Sequence, residues 1–97
     1  MSRKSKAKKA LGSSVQTALM SMALSEAGID DPEDRDRQLA ELVPAVAAQK
    51  ALLEESEVEA VVSGVFQSES FVLRPVFEAG VDKDALRQSL VDWVDST

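Results

Sequence analysis

The apolar residues of this chain recur at helical spacing through much of its length. Two stretches place them three or four residues apart, at the positions that share one face of an α-helix. The first set is Leu11, Val15, Ala18, Leu19 and Met22, and the second is Val58, Val61, Val62, Val65 and Phe66. A hairpin of residues 61–66 and 71–77 is the alternative, but it alternates poorly, and residues 67–70 include none that favours a positive φ. The pattern therefore predicts an all-α fold.

Length and cysteine content limit how such helices can be held together. The chain has 97 residues, enough for one small domain, and 44% of them are apolar, an ordinary share for a chain that folds in water. It has no cysteine, which excludes a disulfide scaffold and a thiolate zinc site. We expect residues 10–97 to form a single helical domain, a small orthogonal bundle of four or five short helices.

Capping residues indicate where the first two helices begin and end. Ser13 or Ser14 can cap the first helix, and Gly28 can end it in the left-handed conformation of the C′ position. Asp31 is the expected N-cap of the second helix. Pro32 then lies in the first turn, where its missing N–H costs no hydrogen bond. A first helix to about residue 27 and a second from residue 32 are therefore predicted.

The second helix has an interior proline, Pro44. Its apolar stripe keeps its phase across Pro44, although such a proline costs a helix about 3 kcal/mol. One kinked helix over about 32–54 is therefore favoured over two helices that abut at residue 43. The other predicted helices are a third opened by a capping box of Ser56 and Glu59, a fourth from Pro75 to Gly80 and a fifth from Asp82 to about Val94.

Charge is divided unevenly along the chain. The formal net charge is −6, yet residues 1–9 carry five bases and no acid, while residues 10–97 carry six bases against 17 acids. The five bases are Arg3, Lys4, Lys6, Lys8 and Lys9. Because like charges repel one another, residues 1–9 are predicted to form a disordered basic arm.

The five bases of the arm are the candidate residues for binding an anionic partner, such as nucleic acid phosphates, anionic lipid or an acidic protein surface. No aromatic residue lies among them to stack on bases, so any nucleic acid binding would be non-specific and sensitive to salt. Two alternatives stay open: a solvated terminus with no partner, and an arm that folds onto the acidic body or onto a neighbouring subunit.

One pentapeptide nearly repeats, as residues 26–30 (EAGID) and residues 78–82 (EAGVD). Two helical corners with a C′ glycine, an apolar residue and a capping aspartate would produce the same string, and a duplicated helical hairpin is the alternative. The second copy, with Ala85, Leu86 and Leu90 after it, resembles a DNA-binding helix-turn-helix over residues 76–94. The resemblance implies DNA contacts from Lys83, Arg87 and Gln88, which the nearby aspartates would oppose.

Several residue types needed for catalysis are missing. The chain has no histidine and no cysteine, so it can form neither a Ser-His nor a Cys-His nucleophile pair. Its four glycines stand apart and form no phosphate-binding loop, and no glycine follows the acids of residues 30–36 as a calcium loop requires. We therefore expect no enzyme, no metal site and no cofactor. No stretch matches a signal peptide or membrane span, and we expect a cytoplasmic protein.

These observations favour a non-enzymatic protein-interaction module, an adaptor, inhibitor or assembly subunit of bacterial or phage-like character. Its apolar surface would bind another protein, and its basic arm an anionic partner. Surplus apolar residues off the main stripes indicate a homo-oligomer; they are Met20, Leu24, Leu52, Val72 and Val91. The alternatives are a small helix-turn-helix DNA-binding regulator that uses residues 76–94 and an acidic inhibitor that imitates nucleic acid.

Overall fold

In the computed structural model, which describes residues 2–97, the chain folds into α-helices, and that range contains no strand. The helices are α1 (Arg3–Glu26), α2 (Pro32–Lys50), α3 (Glu55–Glu69), α4 (Arg74–Glu78) and α5 (Lys83–Ser96). The predicted all-α fold is confirmed. The alternative hairpin does not form, because residues 61–66 belong to α3 and residues 74–77 to α4.

Helix α1 lies at the centre of the molecule and packs against α2, α3 and α5. Every residue of its predicted apolar stripe is buried, and so are the smaller Ala7 and Ala23. Helices α2, α3 and α5 each bury apolar residues against it, namely Val46 of α2, Val58, Val62 and Phe66 of α3, and Leu86, Leu90 and Val94 of α5. Helix α1 therefore supplies the largest part of the core.

The start of α1 corrects the prediction of a disordered arm. The helix begins at Arg3, not at residue 13 or 14, and its N-cap is Ser2, whose hydroxyl accepts a hydrogen bond from the Ser5 amide at 3.2 Å. Lysine, arginine and alanine are all good helix formers, and Ala7, only 4% exposed, joins the core. The prediction is therefore wrong for residues 3–9; Met1, which it also covered, lies outside the described residues.

The turn after α1 has the predicted C′ glycine. Gly28 has φ of +76°, and the Ile29 amide beyond it donates a hydrogen bond to the Leu24 carbonyl at 2.9 Å. The turn after α4 repeats this geometry, with φ of +112° at Gly80 and a bond from the Val81 amide to the Val76 carbonyl at 3.3 Å. Both are Schellman motifs, so the repeated pentapeptide encodes one type of helix end.

The helices that follow these two turns begin differently. Asp31 caps α2, accepting a hydrogen bond from the Glu33 amide at 2.9 Å, whereas Asp82 caps α5, accepting one from the Asp84 amide at 3.0 Å. Asp31 therefore lies one residue after the pentapeptide of residues 26–30, whereas Asp82 is the last residue of the pentapeptide of residues 78–82. The predicted caps at Asp31 and Asp82 are both confirmed.

Helix α2 runs without a break through Pro44, so the prediction of one helix is confirmed, although it ends at Lys50 rather than near residue 54. The predicted capping box of Ser56 and Glu59 is wrong. Helix α3 begins two residues earlier, where the Glu54 amide donates a hydrogen bond to the Glu57 carboxylate at 3.0 Å. A glutamate at the third helical position satisfies a free amide at the helix start, and this contact fixes the boundary.

Candidate functional site

The first two turns of α1 contact the beginning of α3 through a shared carboxylate. The Lys4 ammonium lies 3.1 Å from Oε1 of Glu57, and the Lys8 ammonium lies 3.2 Å from Oε2 of the same residue. Lys4 and Lys8 are one turn apart on α1, so both reach one acid on the neighbouring helix. The predicted alternative in which the basic segment folds onto the acidic body thus holds for these two lysines.

These contacts keep Glu57 ionised. The hydrogen bond from the Glu54 amide, followed by those from Lys4 and Lys8, lowers the pKa of Glu57 from its ordinary 4.5 to about 2. The hydrogen bond to Glu57 in turn raises the pKa of Lys4. Cations at a helix N-terminus are opposed by the helix dipole. The Glu57 carboxylate offsets that cost for two of the five bases.

The other three bases of the segment remain uncompensated. Arg3, Lys6 and Lys9 are exposed, and within residues 2–97 none of them forms an ion pair. Their spacing of three residues places them within about a third of the helix circumference. We call these three residues the cationic face.

A shallow, open cleft of about 390 Å³ lies beside the cationic face, between the start of α1 and the end of α2. Its lining consists of Arg3, Lys6, Ala7, Ala10, Gln49 and Leu52. Leu52 is 50% exposed, although a leucine side chain usually lies in the core of a protein. This α1–α2 cleft therefore has apolar walls with two cations at its edge.

Gln49, one of the residues that line the cleft, has an unsatisfied polar atom. Its Oε1 is buried, and no hydrogen-bond donor contacts it anywhere in residues 2–97. Buried side-chain oxygens in native proteins almost always have a partner. The sequence signalled Leu52 only as a surplus apolar residue, and it gave no sign of either Gln49 or Glu57, because both act through contacts between helices.

The residues predicted to contact DNA do not form a cationic patch. Lys83, Arg87 and Gln88 are all exposed on α5, but the Lys83 ammonium lies 5.9 Å from the centre of the Phe77 ring, and Gln88 donates a hydrogen bond to Asp92 at 2.8 Å. The helix before them, α4, has only five residues. The structure thus brings acids and an aromatic ring close to these candidates.

Arg87 borders a second, smaller cleft, of about 210 Å³, between α3 and α5. Its apolar lining is Val58, Val62 and Val91, and its charged lining is Glu59, Arg87 and Asp95. Because acids outnumber bases here, this cleft has neither the charge nor the aromatic side chains for a nucleic acid chain.

A third exposed feature follows α1. Ile29 is 67% exposed, and Asp30 and Glu33 beside it are exposed acids that form no ion pair with any residue of 2–97. By contrast, Asp34 pairs with Arg37, and Asp36 with Arg35. The acids of this region form no group of three that could hold a metal ion, as is true of residues 2–97 throughout.

Comparison with known proteins gives no relative from which to transfer a function. The chain matches no protein family model, no curated protein and no solved structure. None of the helices in residues 2–97 is long and apolar enough to cross a membrane.

Proposed function

We propose that this chain is a non-enzymatic protein-interaction module that binds an acidic, partly apolar segment of a protein on its cationic face and in the α1–α2 cleft. One observation carries the proposal: Arg3 and Lys6, which form no ion pair within residues 2–97, lie at the edge of an apolar cleft. Lys4 and Lys8, from the same two turns, instead share an ion pair with Glu57 within the fold.

An acidic protein segment fits this surface better than a nucleic acid does. Carboxylates would pair with the cationic face, and an apolar side chain would cover Leu52 and displace water from the cleft. A phosphate backbone would use the three cations alone and leave the apolar walls exposed. With about three phosphate contacts, its affinity would also be low at physiological salt.

The helix-turn-helix regulator and the acidic nucleic acid mimic remain the alternative functions. The first needs Lys83, Arg87 and Gln88 free to reach base edges, and the second needs acids arranged on a surface that a basic partner can cover. Ion pairs from Arg37 and Arg35 already neutralise Asp34 and Asp36 in the most acidic region. This pairing weakens the case for a mimic.

The test is affinity capture with two variants that remove equal charge, followed by titration of a duplex DNA probe. In the first variant Arg3, Lys6 and Lys9 become alanine; in the matched control Arg74, Lys83 and Arg87 become alanine. We expect the first variant to lose its protein partners and the control to keep them. Capture that fails only in the control, together with DNA binding lost in the control, would favour the regulator. Equal capture by both variants would contradict the proposal.

A further inference from the structure

We infer that the segment bound in the α1–α2 cleft is residues 29–33 of a second copy of this chain. The inference rests on the proposed function of the cationic face and names its partner. Residues 29–33 combine one exposed apolar side chain, Ile29, with the carboxylates of Asp30 and Glu33, which pair with no cation of residues 2–97. That combination is the chemical complement of a cleft with apolar walls and two cations at its edge.

A single molecule cannot bring the two surfaces together. The cationic face occupies the first turns of α1, and Ile29 follows the last turn of the same helix. Helix α1 has 24 residues, which at about 1.5 Å per residue separate its ends by about 36 Å. The molecule is 40 Å long in its largest dimension, so the two surfaces lie near its opposite ends. The cationic face and residues 29–33 can therefore contact each other only when they belong to two different copies of the chain.

Gln49 supports the same occupant. Its Oε1 has no donor among residues 2–97 and belongs to a residue that lines the cleft. The Ile29 and Asp30 amides already donate to the Leu24 carbonyl, but the Asp31 amide forms no hydrogen bond with any residue of 2–97. When the Gln49 side chain turns toward the opening, the Asp31 amide of an incoming segment can supply the donor.

The contact joins two different surfaces, so one copy uses its cationic face and the other uses its acidic segment. A bound pair therefore still has one free cationic face and one free acidic segment. Such a heterologous contact continues as an open chain of molecules or closes into a ring. The cleft is small and its charges lie near solvent. The association is therefore dependent on concentration and weakened by salt.

Two variants that each lose one surface provide the test. In the first, Arg3→Ala and Lys6→Ala remove the cationic edge of the cleft. In the second, Ile29→Ser, Asp30→Asn and Glu33→Gln remove the apolar side chain and the charges of the acidic segment, and Asp31 is left in place because it caps α2. Sedimentation velocity of the full chain measures mass, and circular dichroism verifies that each variant is helical.

We expect the mass of the unaltered chain to rise with concentration and to fall with salt, while each variant alone stays monomeric. An equimolar mixture of the two variants has one intact surface of each kind, on different molecules. That mixture should give a 1:1 complex only if the second variant's intact cleft binds the first variant's intact segment. The expected product is a dimer that grows no further.

A chain that carries Arg3→Glu, Lys6→Glu, Asp30→Lys and Glu33→Lys together should regain self-association, because its charges are complementary again. Variants that associate like the unaltered chain, or a mixture that stays monomeric, would overturn the inference. If the unaltered chain is monomeric but the cationic face still controls capture of another protein, the inference fails and the proposed function stands. If the cationic face controls neither, both fail.

Discussion

Lys8 of α1 and Glu57 of α3 lie 3.2 Å apart, and Lys4 occupies the other oxygen of the same carboxylate. The Glu54 amide also donates to Glu57. The Glu57 side chain therefore caps the start of α3 and contacts the first two turns of α1. The cationic face is carried by those same turns. The helical structure of the proposed binding surface therefore depends on Glu57, which does not belong to that surface.

Replacing Glu57 by glutamine should loosen the start of α1. The amide side chain can still accept from the Glu54 amide, but it has no charge to pair with Lys4 and Lys8. The two ammonium groups then repel each other and the positive N-terminal end of the helix dipole. We expect faster hydrogen exchange at the amides of residues 6–9 and a lower melting temperature. Glu59→Gln is the matched control, since Glu59 contacts neither lysine; equal exchange in the two variants would contradict this role of Glu57.

The contribution of Glu57 should depend on pH in a defined window. Its pKa is lowered from 4.5 to about 2, so its stabilising effect is complete above the ordinary pKa and is lost as pH falls from about 4.5 toward 2. Urea unfolding of the unaltered chain and of Glu57→Gln measures the difference. We expect a constant difference between pH 5 and 8 that disappears near pH 2; a difference that disappears near pH 6 would be inconsistent with the lowered pKa.

Two leucines should differ in how much they contribute to the stability of the fold. Leu19 is completely buried in the centre of α1, and Leu19→Ala should cost about 2–5 kcal/mol of unfolding free energy through lost burial and a cavity. Leu52 is half exposed in the cleft, and Leu52→Ala should change stability by less than about 0.5 kcal/mol. Chemical denaturation gives both values, and a Leu52→Ala loss as large as that of Leu19→Ala would show that Leu52 is structural.

Two glycines should respond to alanine with opposite signs. Gly28 has φ of +76°, and an added Cβ would meet no atom within 4 Å, so Gly28→Ala should destabilise by about 1–2 kcal/mol through backbone strain alone. Gly64 lies inside α3 with equal space around it. Gly64→Ala should therefore stabilise by about 0.5–1 kcal/mol, because alanine is the better helix former. Thermal unfolding measures both, and a shift of the same sign would contradict this account of the turn.

The features that could be predicted are those that are determined by residues close together in the sequence. The stripe from Leu11 to Met22, the C′ role of Gly28 and the N-cap at Asp31 each follow from local chemistry, and the structure confirms them. Helix α1 extends back to Arg3, and Lys4 and Lys8 in this extension pair with Glu57, a residue far along the chain. No local pattern contains that partner.

The candidate site could be predicted only in part for the same reason. Its bases were identified from composition, but the division between Lys4 and Lys8, which are paired, and the free cationic face arises from the packing of α1 on α3. The cleft needs Gln49 and Leu52 from the end of α2 beside the start of α1. The predicted orthogonal packing of the helices and the predicted homo-oligomer stay predictions.

The most direct test of the proposed binding surface is photo-crosslinking from the cleft itself. A photoreactive amino acid replaces Leu52, the chain is expressed in the cells that naturally produce it, and mass spectrometry identifies the segments joined to it. We predict segments in which acids flank an apolar side chain, with crosslinks lost when Arg3, Lys6 and Lys9 become alanine. Crosslinks to segments without acids, or crosslinks that persist unchanged in that variant, would contradict the account.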